Sequence, residues 1–286
     1  MPGTLGALRL VWQNEAVRRA QLALAGSTIG DWSYSVAMNV LVFERSGAAW
    51  VGIAQVLRLV PAAIAAPFLG SLVDRFPKQR VLLATDATRA VMMAGILVLA
   101  VSGAPLGAIL VLTTANALVA TMFWPAQRAM LPSLVVEAEE LTSANVVSTM
   151  VESTGSIIGP ALGGLALATL GIHTALVIPI VAYCLSALAI TRVPLSAGAA
   201  GEEPGGDDGA VEDATPGVLA GLRAIVRDVN VRILVALISA QVIVAGALNV
   251  LAVVIALQLL HRGAGGVGLL LGAVGVGGLL GAIPAL

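Results

Sequence analysis

The sequence predicts an all-α integral membrane protein: a six-helix N-terminal bundle plus the first two helices of a second bundle. Three observations predict it. Of 286 residues, 58% are hydrophobic and only 11% are charged, against roughly 25% charged in an ordinary soluble domain. Eight apolar stretches reach the roughly 20 residues that a spanning helix needs. Nowhere do apolar and polar residues alternate over short segments, as membrane barrel strands require.

Taken in order, Met1 to Gln21 comes first. It carries Arg9, Glu15, Arg18 and Arg19 and has no long apolar run, which is unlike a cleavable signal peptide. Leu5, Leu8, Val11, Trp12 and Val17 suit an interfacial helix leading into the first span. Six spans follow at about 20–43, 50–73, 81–101, 106–127, 144–170 and 172–192, each of membrane-crossing length. The stretch 194–217 is small, acidic and rich in Pro and Gly; it cannot bury apolar area and reads as a flexible linker. Leu219, Leu222, Ile225, Val226 and Val229 then recur at helical spacing around Arg223 and Arg227, as in a helix lying on a membrane surface. Two more spans fall at about 232–260 and 264–286. The expected division is therefore 1–193 as a six-helix bundle, 194–230 as acidic linker and surface helix, and 231–286 as the start of a second, incomplete bundle.

Sidedness follows from the basic residues. The N-terminal segment, the loop from Asp74 to Arg80, the region of Arg128, and the stretch from Arg192 to Arg232 all fall on one side. The opposite loops offer only Arg45 and Arg262. The richer side is cytoplasmic by the positive-inside rule. A multi-pass protein of the cell membrane with a cytoplasmic N-terminus is expected.

Several functions are excluded. Basic residues flank spans and form no stripe, so no nucleic-acid partner is expected. Cys184 is the single cysteine and lies in an apolar run, which rules out an intrachain disulfide. His173 and His261 have no metal-ligand spacing between them. No nucleophile–base set, metal motif or phosphate loop is present, so neither an enzyme nor a cofactor is expected.

Two motifs are more particular than topology requires. Gly70-Ser-Leu-Val-Asp74-Arg75-Phe-Pro77-Lys78-Gln-Arg80 packs its charges between two apolar runs, with Asp86 and Arg89 following. Gly155-Ser-Ile-Ile-Gly159-Pro160-Ala-Leu-Gly163-Gly164 sets glycines four apart on one smooth helix face, where a neighbour can approach closely. Pro160 there removes a backbone hydrogen bond and bends the span.

With these residues in place, the chain resembles the major facilitator superfamily, and within it the drug/proton-antiporter-type branch that includes macrolide and siderophore exporters. The first motif looks like that family's loop between helices two and three, although Pro77 stands where glycine is usual. The second is similar to its antiporter-associated Gly-Pro-Gly-Gly motif. Gly30-Asp31-Trp32, Phe123-Trp-Pro125-Ala-Gln-Arg128 and Leu131-Pro132 add to the likeness. The resemblance implies a gating latch built on Gly70, Asp74, Arg75, Lys78, Arg80, Asp86 and Arg89, with Asp74 facing a helix N-terminus or basic partner. It implies rocking of bundles along the helix of Gly155, Gly159, Pro160, Gly163 and Gly164. The family's fold has twelve spans in two bundles.

Asp31, Arg58 and Glu152 lie within spans, where ionisable groups are costly and functional by default. At about 1.5 Å per residue, Asp31 is roughly 17 Å from the inner end of its span and Arg58 about 10–12 Å from the outer end of the next. In a core about 30 Å thick their heights nearly match. A buried Asp31–Arg58 pair is therefore expected, as a coupling site or as a static lock. Glu152 is a second candidate acid, with Ser148, Ser153 and Ser156 within local reach; Asn39, Gln55, Gln241 and Asn249 are weaker cavity candidates.

The function expected is secondary active transport: proton-coupled export of small amphipathic molecules by alternating access between two bundles. Its partners are the lipid bilayer, a small-molecule substrate and protons as coupling ion. A weak repeat bears on the alternative. Sliding by 216 residues sets Val51-Gly52 on Val267-Gly268 and Gly70 on Leu286, so the sequence stops where a second charged loop would begin. On that count the alternative is a truncated, non-transporting membrane protein or scaffold that needs a partner chain.

Overall fold

Asn14 opens the first long helix. Its side-chain oxygen accepts from the backbone N–H groups of Ala16 and Val17, satisfying two donors that a helix start leaves open. In the computed structural model, which describes residues 10–135, 137–193, 228–260 and 263–282, this helix is α1 (Glu15–Ser46). It is followed by α2 (Ala48–Asp74), α3 (Lys78–Val101), α4 (Leu106–Ala120) and α5 (Phe123–Met130), which ends in a 3-10 turn, Leu131–Leu134. Next come α6 (Ala138–Thr191), α7 (Val229–Val254) with a π-helical turn at Ile255–Leu259, and α8 (Gly263–Ala282). No strand occurs among the described residues.

Two glycines turn the chain between membrane-length helices. Gly47 (φ 82°) joins α1 directly to α2, and Gly171 (φ 82°) breaks α6 into arms 138–170 and 172–191. Both occupy the left-handed side of backbone space, which a Cβ disfavours. A straight helix of 54 residues would run about 80 Å, more than twice the roughly 30 Å membrane core. The bend at Gly171 therefore turns one element into two membrane-length arms.

Among the described residues five helices, with α6 counted once and Leu106–Leu134 taken together, are long and apolar enough to cross a membrane. In α8 the apolar stretch is Gly265–Val274. Outside that set of five stands α1, whose Ser27, Thr28, Asp31, Ser33, Ser35 and Asn39 lower its hydropathy. All of these but Asp31 are buried. The helix is polar because it runs through the middle of the bundle, against both arms of α6 and close to α3.

Around it lies one apolar core containing Val36, Val40, Met93, Ile96, Ile109, Leu176 and Tyr183. A second cluster with Leu24, Val73, Leu82, Phe123 and Ile190 closes one end. By contrast α2 turns Ile53, Val56, Val60, Ile64 and Phe68 outward, the pattern of a helix solvated by lipid.

Long polar side chains tie the bundle ends. Gln79 donates to the carbonyls of Ile190 (2.8 Å) and Val193 (3.2 Å), capping orphan acceptors at the end of α6. At the same end Asn14 donates to the Leu134 carbonyl at 3.0 Å. At the other end Arg45 donates to the carbonyls of Ala104 (2.7 Å) and Ala100 (2.8 Å). The expected linker at 194–217 and the surface helix from Leu219 to Arg227 lie outside the described residues, as do residues 1–9, His261 and Arg262.

Candidate functional site

Three helices carry paired polar residues one turn apart: Ser27 and Asp31 on α1, Asp86 and Arg89 on α3, Tyr183 and Ser186 on the second arm of α6. Residues three or four apart share a helix face, and here the three faces converge. Arg89 is ion-paired with Asp31. Its guanidinium also donates to the Tyr183 hydroxyl at 2.7 Å and to Ser27 Oγ at 3.0 Å. It lies 4.1 Å from the centroid of the Tyr183 ring and 3.6 Å from Asp86. Tyr183 donates in turn to Asp31 at 3.0 Å. Asp86 Oδ1 accepts from Ser27 at 3.2 Å, and Asp86 Oδ2 lies 2.5 Å from Ser186 Oγ. Asp86 and Arg89 have no exposed side-chain surface, whereas Asp31 is one-third exposed.

One glycine makes this approach possible. A Cβ on Gly30 would stand 2.7 Å from Tyr183 Cε1, so only a bare backbone lets the tyrosine ring lie against α1.

The expected Asp31–Arg58 pair is not formed. Arg58 instead lies over the Tyr34 ring, 5.7 Å from its centroid, and makes no ion pair among the described residues. Height alone allowed the pair; azimuth decides against it, because α3 and not α2 turns its basic residue towards Asp31. Asp86 and Arg89, grouped in the sequence with the 70–80 loop, belong to this buried cluster instead.

The remaining loop residues stay near the surface. Asp74 pairs with Lys78 at 3.1 Å, and Lys78 also donates to the Val73 carbonyl at 2.9 Å. Arg75 and Arg80 are exposed. A Cβ on Gly70 would meet nothing within 4 Å.

Glu152 lines a polar cavity of about 290 Å³ together with Trp124, Gln127, Arg128, Asn145 and Ser148. Of its expected local partners, Ser148 bonds with Gln21 (2.8 Å) and Ser156 donates to the Ser153 carbonyl (2.7 Å). Gln55 donates to Asn39 at a long 3.5 Å, and Asn249 donates to the Ala245 carbonyl of its own helix at 2.9 Å.

The glycine row of α6 is occupied on two faces. Added Cβ atoms on Gly155 and Gly159 would each stand 2.5 Å from α1, against Thr28 Cγ2 and Trp32 Cβ. One on Gly163 would stand 2.9 Å from the Ser33 carbonyl oxygen. A Cβ on Gly164 points the other way, to 2.6 Å from the Cα of Gly268 on α8. One on Gly268 would meet both that Gly164 Cα (2.6 Å) and the Pro160 carbonyl (2.7 Å). The missing side chains let α1 lie close along one face of α6, and at Gly164 and Gly268 the backbones of α6 and α8 meet directly.

Tyr183, Ser186 and Ser27 are site residues that sequence reasoning missed. The signal was the repeated i,i+3 or i,i+4 polar pair inside three apolar spans. Each pair alone resembles a local tie, and only their coincidence marks a cluster.

A family model described as Major Facilitator Superfamily matches residues 22–286. Among similar curated proteins is the multidrug efflux pump Tap of Mycobacterium tuberculosis, 34% identical over 173 residues, a match covering 58% of this chain and 41% of that protein. The uncharacterized MFS-type transporter YfiS of Bacillus subtilis is 27% identical over 173 residues, covering 60% and 40%. The staphyloferrin A transporter of Staphylococcus aureus is 24% identical over 176 residues, covering 58% and 44%. The chain spans less than half the length of these relatives. No solved structure gives a significant match.

Proposed function

We propose, from the premise that this chain belongs to the major facilitator superfamily, that it works in proton-coupled export of small amphipathic molecules by alternating access. Export is the direction that the names of the multidrug efflux pump relatives support. Residues 1–193 form one six-helix bundle, 194–230 a linker, and 231–286 the first two helices of a second bundle. The N-terminus and the 70–80 loop lie in the cytoplasm, on the side rich in Lys and Arg.

The observation that carries this reading is the bare-backbone seam between α6 and α8. Gly164 and Gly268 bring the two backbones into direct contact, with Val267 and Leu271 of α8 buried in the core beside them. A seam of this kind suits two bundles rocking about a substrate site near the midplane. Asp74 and Lys78 act at the cytoplasmic end as part of the latch that biases the inward and outward states, with Arg75 and Arg80 available to the facing helix ends. Asp31, one-third exposed and held by Arg89, is the acid that exchanges protons. Glu152, in its cavity with Arg128, contacts the substrate.

Cells expressing the complete gene that encodes this sequence should extrude members of a panel of amphipathic compounds. A protonophore should abolish the extrusion. Accumulation unaltered by expression, over a broad panel and with the protein present in the membrane, would sink the reading.

A further inference from the structure

The buried cluster holds more hydrogen-bond contacts than the ion pair alone accounts for. Ser186 Oγ lies 2.8 Å from the Ala23 carbonyl oxygen and 2.5 Å from Asp86 Oδ2. A serine hydroxyl has one hydrogen to give. The Ala23 carbonyl can only accept, so if Ser186 donates there, the hydrogen in the short contact must come from Asp86. The other side of Asp86 is consistent. Ser27 accepts from Arg89 (3.0 Å) and has its own hydrogen to donate to Asp86 Oδ1 (3.2 Å). Tyr183 likewise accepts from Arg89 (2.7 Å) and donates to Asp31 (3.0 Å).

Charge leads to the same place. Asp31 on α1, Asp86 and Arg89 on α3, and Tyr183 on α6 are the titratable groups in mutual contact; Arg58 and Tyr34 face each other nearby. With both acids ionised the cluster carries a net negative charge around a side chain, Asp86, that has no exposed surface. Uncompensated buried charge is strongly disfavoured. One bound proton makes the set neutral.

We infer that the cluster stores a single proton, seated on Asp86 and donated to Ser186, and that Arg89 pairs with whichever of Asp31 and Asp86 is ionised. In the arrangement described, Arg89 pairs with Asp31 and the proton is on Asp86. When Asp31 takes the proton, Asp86 is left ionised and Arg89, already 3.6 Å away, becomes its counter-ion. No bond other than the O–H bonds of the two carboxyl groups is made or broken, and the cluster stays neutral throughout. Asp86 is thus a positioning and charge-storing residue, which lets the exposed acid exchange protons without ever leaving a buried arginine unpaired. The inference deepens the coupling role proposed for Asp31 and rests on that reading for its use in transport, but the proton itself is observable without transport.

The test is infrared difference spectroscopy on the complete purified protein at neutral pH, reading the carbonyl stretch of protonated carboxylic acids. Glu152→Gln supplies the background from the other acid within a span. Wild type minus Asp86→Asn should show one protonated carboxyl lost. Asp31→Asn should lose the same band, because Arg89 then needs Asp86 ionised. Ser186→Ala should keep the band and shift it upward, since the acceptor of its hydrogen is gone. A wild-type spectrum with no band sensitive to Asp86, a band unchanged in Asp31→Asn, or a Ser186→Ala band at the wild-type position would overturn the inference. Loss of proton-dependent export with these bands intact would instead count against the transport reading.

Discussion

Gly164 on α6 and Gly268 on α8 stand in a reciprocal relation: a Cβ placed on either would lie 2.6 Å from the Cα of the other. Neither position has room for a methyl group, and no flexible side chain is there to yield. A bulky residue must therefore push two helices apart. We predict that Gly164→Val or Gly268→Val costs about 1–3 kcal/mol, the range for overpacking, and lowers export by more than about tenfold, a change in rate of at least ~1.4 kcal/mol. Gly107→Ala, where a Cβ meets nothing within 4 Å, should leave both unchanged. Export measured beside membrane abundance checks this.

Arg89 and Arg58 are both arginines within spans, yet their removal should cost very different amounts. Arg89→Ala leaves Asp31 and Asp86 without their shared cation, and removing one partner of a buried pair costs about 3–5 kcal/mol. Arg58→Gln forfeits only a cation–π contact, worth about 0.5–1 kcal/mol at a partly exposed site. Thermal unfolding of the two purified variants should separate them clearly. Equal losses would restore Arg58 as a partner of the acid.

Tyr183 bridges Arg89 and Asp31 through one hydroxyl. Tyr183→Phe removes both hydrogen bonds and should destabilise by about 1.5–3 kcal/mol, the range for bonds to charged groups. Gly30→Ala should act on the same contact from the opposite side, because its methyl would meet the ring at 2.7 Å. The double variant should cost less than the two single changes added together. Unfolding midpoints of the four proteins close the cycle.

Asp74 and Lys78 are near the surface, and their pair should matter for cycling rather than for stability. Asp74→Asn should leave the unfolding temperature unchanged and reduce export. An equal fall in both would make the pair merely structural.

How far the sequence reveals this site depends on the kind of information needed. The helical membrane class was legible, because composition reports directly on the solvent. So was the special character of Gly155, Gly159 and Gly163, because spacing by four is a property of one helix. Which helix meets which face was not legible. Asp31 and Arg58 have matching heights, but height is one coordinate of two, and the rotation of α3 that presents Arg89 arises from packing. Gly164 illustrates the same limit: adjacent to Gly163 in sequence, it turns to a different helix altogether. Gln79 lies within a charged loop of the sequence, yet it caps the end of α6, a role set by a residue more than a hundred positions away.

Proton coupling through Asp31 is the centre of the account, and proton flux tests it most directly. The complete protein would be reconstituted into liposomes with a pH indicator trapped inside, and an exported compound added on the side from which it is taken up. Wild type should move protons opposite to the compound, and Asp31→Asn should move the compound, if at all, with no proton signal. A proton signal of wild-type size in Asp31→Asn would contradict the account.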